Sequence, residues 1–312
     1  MRENDLLQHI YEANAALQET AIIPPGDDMG AIAFGGNKLL VAVDQVADGV
    51  HFDLTNTPIE KIGRKAVTRN LSDIAAMAVK PTAAVAAACL PRDFGEANAN
   101  ALFDAMRATA QDFNCPLIGG DIAMWDGRLL LSVTVFAEPW QDDRGQPIPP
   151  VERRGAQPGD GIYVTGQLGH SFPTGHHLDF TPRIELARRL AMASVSRPSA
   201  MIDLSDGIAQ DLPRLVEHAE LDARRLPLRP CDISSDREPW QHALGDGEDY
   251  ELLFTAPPEA DIPDTIADHT DTPTTITSIG TVTDTGEITV IIPDGSRVPL
   301  DQTQAEGWEH TA

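Results

Sequence analysis

Lys38-Leu39-Leu40-Val41-Ala42-Val43 is an apolar run of strand length that ends on Asp44, and Thr57-Pro58-Ile59 opens a helical pattern running to Met77. Thr57 suits an N-cap and Pro58 the first helical position. Ile59, Ile62 and Ala66 then fall on one face, and the helix has to stop before Pro81. Strand followed by helix repeats outward from this stretch. Residues 82–90 form a small-residue strand, 97–113 an amphipathic helix, 117–118 a strand ending at Gly119-Gly120-Asp121, and 128–137 another strand. Residues 138–150 turn polar and rich in Pro, Gly and Asp, which marks a boundary. Beyond it, strands are expected at 161–165, 201–202, 248–255, 275–282 and 287–292, with a helix over 208–219. The reading is an α/β chain of two domains, 1–145 and 146–312.

Composition narrows the function. The chain has 312 residues, 23 Lys and Arg against 48 Asp and Glu, and a formal charge of −25. A nucleic-acid backbone needs clustered cations, so no nucleic-acid partner is expected. No run has the length of a membrane span and the N-terminus carries no apolar leader, so a cytoplasmic protein with no membrane partner is expected. Cys89, Cys115 and Cys231 are far apart, with no CxxC pair and no His at zinc-ligand spacing, and read as buried thiols in a reducing compartment. His176-His177 reads as loop.

Six segments carry Asp beside small residues: Gly26-Asp27-Asp28, Asp44, Asn70-Leu71-Ser72-Asp73, Gly119-Gly120-Asp121, Asp203-Leu204-Ser205-Asp206-Gly207, and Gly245-Asp246-Gly247-Glu248-Asp249-Tyr250-Glu251. A short carboxylate beside free backbone N–H groups suits Mg²⁺ and phosphate together. Singly, several have ordinary explanations. Asp27-Asp28 reads as a turn, Gly119 to Asp121 equally as a strand-end turn, and Ser205 or Asp206 as a helix cap. Asp73 inside a helical pattern is unfavourable unless its face is wet or liganded. Taken together they suggest one polynuclear metal and nucleotide site. No P-loop, protein-kinase signature, dinucleotide fingerprint or nucleophile elbow is present, so ATP would bind through metal-bridged carboxylates and glycine turns.

In this order, and joined by Asp44 to His51-Phe52, Arg153 to Gly159-Asp160 and Tyr163-Val164-Thr165-Gly166, these segments resemble the thiamine-monophosphate kinase family over nearly the whole chain. The resemblance implies a two-domain fold like aminoimidazole ribonucleotide synthetase, with an N-terminal α/β domain that forms a homodimer and a C-terminal α/β domain that completes the site. It implies direct transfer of the γ-phosphoryl of ATP to thiamine monophosphate, giving thiamine diphosphate. Asp28, Asp44, Asp73, Asp121, Asp203 and Asp206 correspond to Mg²⁺ ligands for several ions. Gly120, Asp121, Arg153 and Ser205 correspond to ATP contacts, with Arg153 suited to offset transition-state charge. His51, Glu248 and Trp308 correspond to contacts with the thiamine substrate, where an aromatic suits a cationic ring. The chain departs from the family pattern at Ala42 and Val43, at Ile122-Ala123, at Asp48, at Asp246-Gly247 and in a shortened stretch 166–183. Those departures keep open a related enzyme with a different acceptor, or a non-catalytic nucleotide or thiamine-phosphate binder.

Overall fold

The computed structural model describes residues 21–23, 26–193, 195–269, 273–305 and 307. Its first sheet comprises β1 (Ala21–Ile23), β2 (Gly30–Phe34), β3 (Asn37–Ala47), β4 (Lys80–Pro91), β5 (Leu117–Trp125) and β6 (Leu130–Glu138), in the order β1-β2-β3-β6-β4-β5. Only β4 and β5 run parallel, because the helix between them carries the chain back along the sheet, while the other pairs are antiparallel. The second sheet comprises β7 (Gly161–Thr165), β8 (Ala200–Asp203), β9 (Ala219–Asp222), β10 (Leu252–Ala256), β11 (Thr265–Ile266), β12 (Thr274–Val282), β13 (Ile288–Ile291) and β14 (Arg297–Pro299). Its order is β14-β13-β9-β12-β7-β10-β8, with β11 paired to β12.

The helices are α1 (Ile59–Ala76), α2 (Glu96–Asp112), the single turns α3 (Ser171–Thr174) and α4 (His176–Asp179), α5 (Ile184–Met192), α6 (Ile208–Leu215) and α7 (Pro239–Gly245). Most of α1 is buried, because it packs on β3 and β6 of the first sheet and on β8, α4 and α5 of the second half. Its face extends well beyond Ile59, Ile62 and Ala66. At Gly63 the helices α1 and α2 approach so closely that a Cβ would sit 2.6 Å from the Leu102 carbonyl oxygen.

Strand β10 is buried on both sides, which explains the consecutive apolar residues Leu252-Leu253-Phe254. Leu252 and Phe254 join a core shared with α1, α5 and the first sheet. Leu253, one residue out of phase, joins a second core with Ile208 and Leu212 of α6 and Leu244 of α7. The two sheets therefore share one apolar interior around α1, with a satellite core beneath α6 and α7.

Several expectations are corrected. Strand β3 continues past Val43, so Asp44 is a mid-strand residue opposite Val133. Strand β5 runs straight through Gly119-Gly120-Asp121 to Trp125, and the glycines make no strand-end turn. A Cβ at Gly120 would lie 2.0 Å from the Ala86 carbonyl oxygen, so close pairing with β4 accounts for that glycine. The helix expected to reach 219 ends at Leu215, two residues after Pro213, where the chain turns extended and feeds β9. Residues 248–251 are not strand, since Glu248 and Tyr250 take φ of 56° and 50°. His177 lies in the helical turn α4 rather than in loop. Cys115 is buried, but Cys89 and Cys231 are half-buried; all three are free thiols. No described helix is long and apolar enough to cross a membrane.

Candidate active site

Four elements deliver carboxylates to the junction of the two sheets. Asp28 comes from the turn before β2, Asp73 from the last turn of α1, Asp203 from the end of β8, and Asp44 from β3. One carboxylate oxygen from each of Asp28, Asp73 and Asp203 lies within 4.8 Å of the other two. The segment Asn70 to Asp73 builds this meeting point. Asn70 Oδ1 accepts the Asp44 backbone N–H at 2.9 Å, Ser72 Oγ donates to Asp203 Oδ2 at 2.6 Å, and Asp73 completes the triad. One helical turn thus ties β3 to β8.

The electrostatics of this cluster call for a cation. Burial, then the negative charges of Asp44, Asp203 and Asp28, hold the Asp73 carboxyl well above the usual carboxylate range. Burial and Asp28 push Asp203 up to about 7, and burial with Asp28 pushes Asp27 up to about 6. Three carboxylates in one place cannot all ionise without a counter-charge. The carbonyl end of α1 adds negative potential at the same point. Hard oxygen donors at this spacing, with no nitrogen or sulfur ligand among them, fit Mg²⁺ and not a thiolate or imidazole metal.

The model for AIR synthase related proteins, N-terminal domain, matches residues 26–138, which hold the first sheet from β2 onward, with α1 and α2. Thiamine-monophosphate kinase of Rhodopirellula baltica is 34% identical over 296 residues, covering 90% of this chain and 89% of that protein. The chain belongs to the thiamine-monophosphate kinase family. The Haemophilus influenzae member is 32% identical, with 83% of each chain covered. A solved AaThiL complexed with AMPPCP and TMP aligns with a TM-score of 0.80 at 27% identity, over 99% of this chain and 97% of that one. The hydrogenase maturation protein HypE in complex with ATP aligns with a TM-score of 0.66 at 16% identity, covering 84% of each chain, a likeness of fold alone.

Within the family frame, the residues singled out from sequence fall into different settings. Arg153 lies against the triad: Nη2 donates to Asp28 Oδ1 at 2.7 Å and Nε to Oδ2 at 3.1 Å. Asp206 and the buried Asp211 share Arg214, at 2.7 and 2.8 Å. Ser205 lies between Asp203 and Asp206, and its carbonyl accepts the Glu248 N–H at 2.7 Å. Asp121 stands on the exposed edge strand β5, as does Gly120, and joins neither three-residue ligand cluster found among the described residues. His51 is buried, and its Nδ1 accepts the Ala47 N–H at 3.1 Å, which puts the ring proton on Nε2. Trp308 lies outside the described residues.

Glu248 is committed to an interior ion pair with Lys65, whose side chain is 0% exposed. Lys65 also donates to the His51 carbonyl at 2.7 Å and meets His177 Nδ1 at 2.8 Å; the Tyr250 hydroxyl donates to Glu248 Oε1 at 3.1 Å. Burial lowers the Lys65 ammonium to about 8 against the attraction of Glu248. Burial and Lys65 lower His177 to about 3, so its ring is neutral. The other acids of the segment are also paired, Asp246 with Arg237 and His242, Asp249 with Arg229, and Glu251 with Arg183. Each carboxylate clamps a different partner, which holds the strained backbone at Glu248 and Tyr250 in place.

The sequence gives no direct sign of roles for Lys65, Arg69 and Asp211, and Ser72 and His177 stand out in it only as a neighbour of Asp73 and as loop. Lys65 and Arg69 are four residues apart on a helix otherwise buried, and a pair of cations on a core face is a signal that acids from elsewhere must meet them. Arg69 does so at Asp44, 2.8 Å away. A second ligand cluster, His170 with His242 and Asp246, is also assembled only by the fold, from a loop after β7 and from α7. There Arg237 donates to Asp246 Oδ1 and the His170 N–H donates to Oδ2, each at 2.9 Å, so the group pins the loop to the helix.

Proposed function

We propose that this protein transfers the terminal phosphoryl group of ATP directly to the phosphate of thiamine monophosphate, forming thiamine diphosphate and ADP. The observation that carries the reading is the convergence of Asp28, Asp73 and Asp203 at the junction of the sheets, in a chain of the thiamine-monophosphate kinase family. AaThiL, similar in fold over nearly all its length, has been solved complexed with AMPPCP and TMP, which supports a nucleotide and TMP as the ligands here.

Asp28, Asp73 and Asp203 would hold Mg²⁺, with Asp44, Asp121 and Asp206 available to further ions. The bound metal supplies neutralising charge to the phosphate oxygens. The remaining work is positioning. Ser72 orients the Asp203 carboxylate, and Asn70 fixes the strand that carries Asp44. Arg153 offers a guanidinium to phosphate oxygens as charge spreads over them. The acceptor is already an anionic oxygen, so no side chain has to act as a strong base. His51 and Glu248, joined through Lys65, are assigned to the thiamine end of the substrate. Gly120 and Ser205 are assigned to the nucleotide, and Trp308 to the thiamine ring.

The separation of the sheets supports a division into an N-terminal domain, 1–145, and a C-terminal domain, 146–312. A homodimer through the first sheet is supported by the edge strand β5, where Ile122 and Met124 share one face and are 57% and 48% exposed, with Ile118 68% exposed at the bulge before them. A row of unpaired backbone groups with apolar side chains invites a second copy. A cytoplasmic location is proposed, in keeping with the thiamine-monophosphate kinase relatives.

The test is ATP-dependent formation of thiamine diphosphate by purified protein, with Mg²⁺ and with EDTA. Product is expected only with Mg²⁺. Its absence at saturating substrates would remove the reading.

A further inference from the structure

Arg153 holds the carboxylate that the acidic triad needs for a metal. Its guanidinium covers both oxygens of Asp28, at 2.7 and 3.1 Å, and its Nη1 reaches the Gly26 carbonyl at 3.5 Å. Its backbone N–H donates to Asp27 Oδ2 at 3.0 Å, so the arginine is tethered at the turn that carries Asp28. The Asp28 side chain has no solvent contact and that of Arg153 very little. Positive charge from Arg153 also reaches Asp73 and Asp203, partly offsetting their repulsion.

A side-on arginine uses both carboxylate oxygens in one fork. A divalent ion about 2 Å from one of those oxygens would share the carboxylate with the guanidinium, and repulsion between the two cations there exceeds thermal energy several-fold. Arg153 and the metal are therefore alternatives at Asp28. The arginine's long side chain can leave the carboxylate while its backbone stays bonded to Asp27.

We propose that Arg153 is a tethered counter-cation of the triad, competing with the divalent ion for Asp28 and released toward the nucleotide's phosphates when the ion loads. The inference rests on the metal and nucleotide roles given above and adds a coupling between them. Metal binding frees the arginine, and nucleotide phosphates that take up the arginine favour metal binding by the same factor. The side chain thereby keeps a cluster of buried acids folded without metal and assists catalysis with it.

The experiment measures Mn²⁺ binding to the full chain by electron paramagnetic resonance, for the wild type and R153Q, each with Asp28 intact and as D28N. R153Q is expected to bind Mn²⁺ about tenfold more tightly than wild type without nucleotide, and the gain should vanish in the D28N background. A non-hydrolysable ATP analogue should enhance Mn²⁺ affinity less in R153Q than in wild type. R153K, which keeps the charge but not the fork, should bind Mn²⁺ with intermediate affinity and guards against a fold lost in R153Q.

Unchanged or weaker Mn²⁺ binding by both R153Q and R153K would overturn the proposal, since Arg153 would then be a brace for the Asp28 turn. Equal tightening with and without Asp28 would also overturn it, because only through-space charge would be acting. A wild-type protein that binds no Mn²⁺ removes the metal site and the competition together, an outcome distinct from the other two.

Discussion

Lys65 and Glu248, 183 residues apart in sequence, form an ion pair in which the side chains are 0% and 3% exposed. The pair joins the central helix of the first half to the strained segment before β10. Removing one partner strands a buried charge, which costs more than the pair itself contributes.

Lys65→Met is therefore expected to lose about 3–5 kcal/mol of stability in urea denaturation. Lys65→Met combined with Glu248→Gln should lose less than Lys65→Met alone, because no unpaired charge remains. A double variant as unstable as the sum of the singles would mean that the two residues act independently.

The pH dependence has a definite sign at Asp203. Its carboxyl is held at about 7 in the folded protein against an ordinary 3.8, so between about pH 4 and 7 the unfolded chain ionises first. Stability falls as pH rises through that window, and the full penalty is present above about 7. Asp203→Asn should thus gain on the wild type across the window, reach an advantage of about 1–3 kcal/mol, and hold it at higher pH. The buried neutral His177 works the other way below its unfolded value, but is common to both proteins and cancels in the difference. Melts in metal-free buffer at pH 5 and 8 measure the effect, and a difference that does not vary with pH contradicts it.

Mg²⁺ should raise the melting temperature of the wild type, and EDTA should reverse the rise. At a hundred times the dissociation constant the gain is about 2.7 kcal/mol. Asp73→Asn should remove most of this gain and lower turnover by about a hundredfold or more, yet melt no lower than metal-free wild type. The triad's repulsion is relieved by the same change that disables it. A large loss of metal-free stability would instead make Asp73 a structural residue.

Ile122→Asp places a charge in the middle of the exposed apolar face of β5. Size-exclusion chromatography with light scattering is expected to give a dimer for the wild type and a monomer for the variant. Two species of the same mass would exclude β5 from the interface.

The Asn70 to Asp73 segment was legible in the sequence as something other than ordinary helix, because an aspartate inside a helical pattern is unfavourable unless its face is wet or liganded. What it meets was legible only through the family resemblance, which groups Asp28, Asp73 and Asp203 as metal ligands. Asp203 lies 131 positions after Ser72, and no local preference encodes that approach. The glycines before Asp121 were legible as special but for a different reason, since a phosphate turn and a tight parallel pairing both require the absence of a side chain. At Gly120 the 2.0 Å approach of the Ala86 carbonyl oxygen shows that the pairing by itself demands a glycine, whatever else that position does. Strand limits failed at residues 248–251 because alternating left-handed residues leave no trace in hydrophobic periodicity.

The sequence by itself determined the α/β alternation, the polar break after 138, the acidic charge and the family, since each rests on local pattern or on segments in order. The family resemblance grouped six acids as ligands, and tertiary structure decided which of the six meet. It gathered Asp28, Asp73 and Asp203, left Asp121 on an open edge, and spent Glu248 on Lys65. The physical reason is that a carboxylate's chemistry depends on the charges and solvent around it, and those neighbours come from chain segments that the core, not the local sequence, brings together.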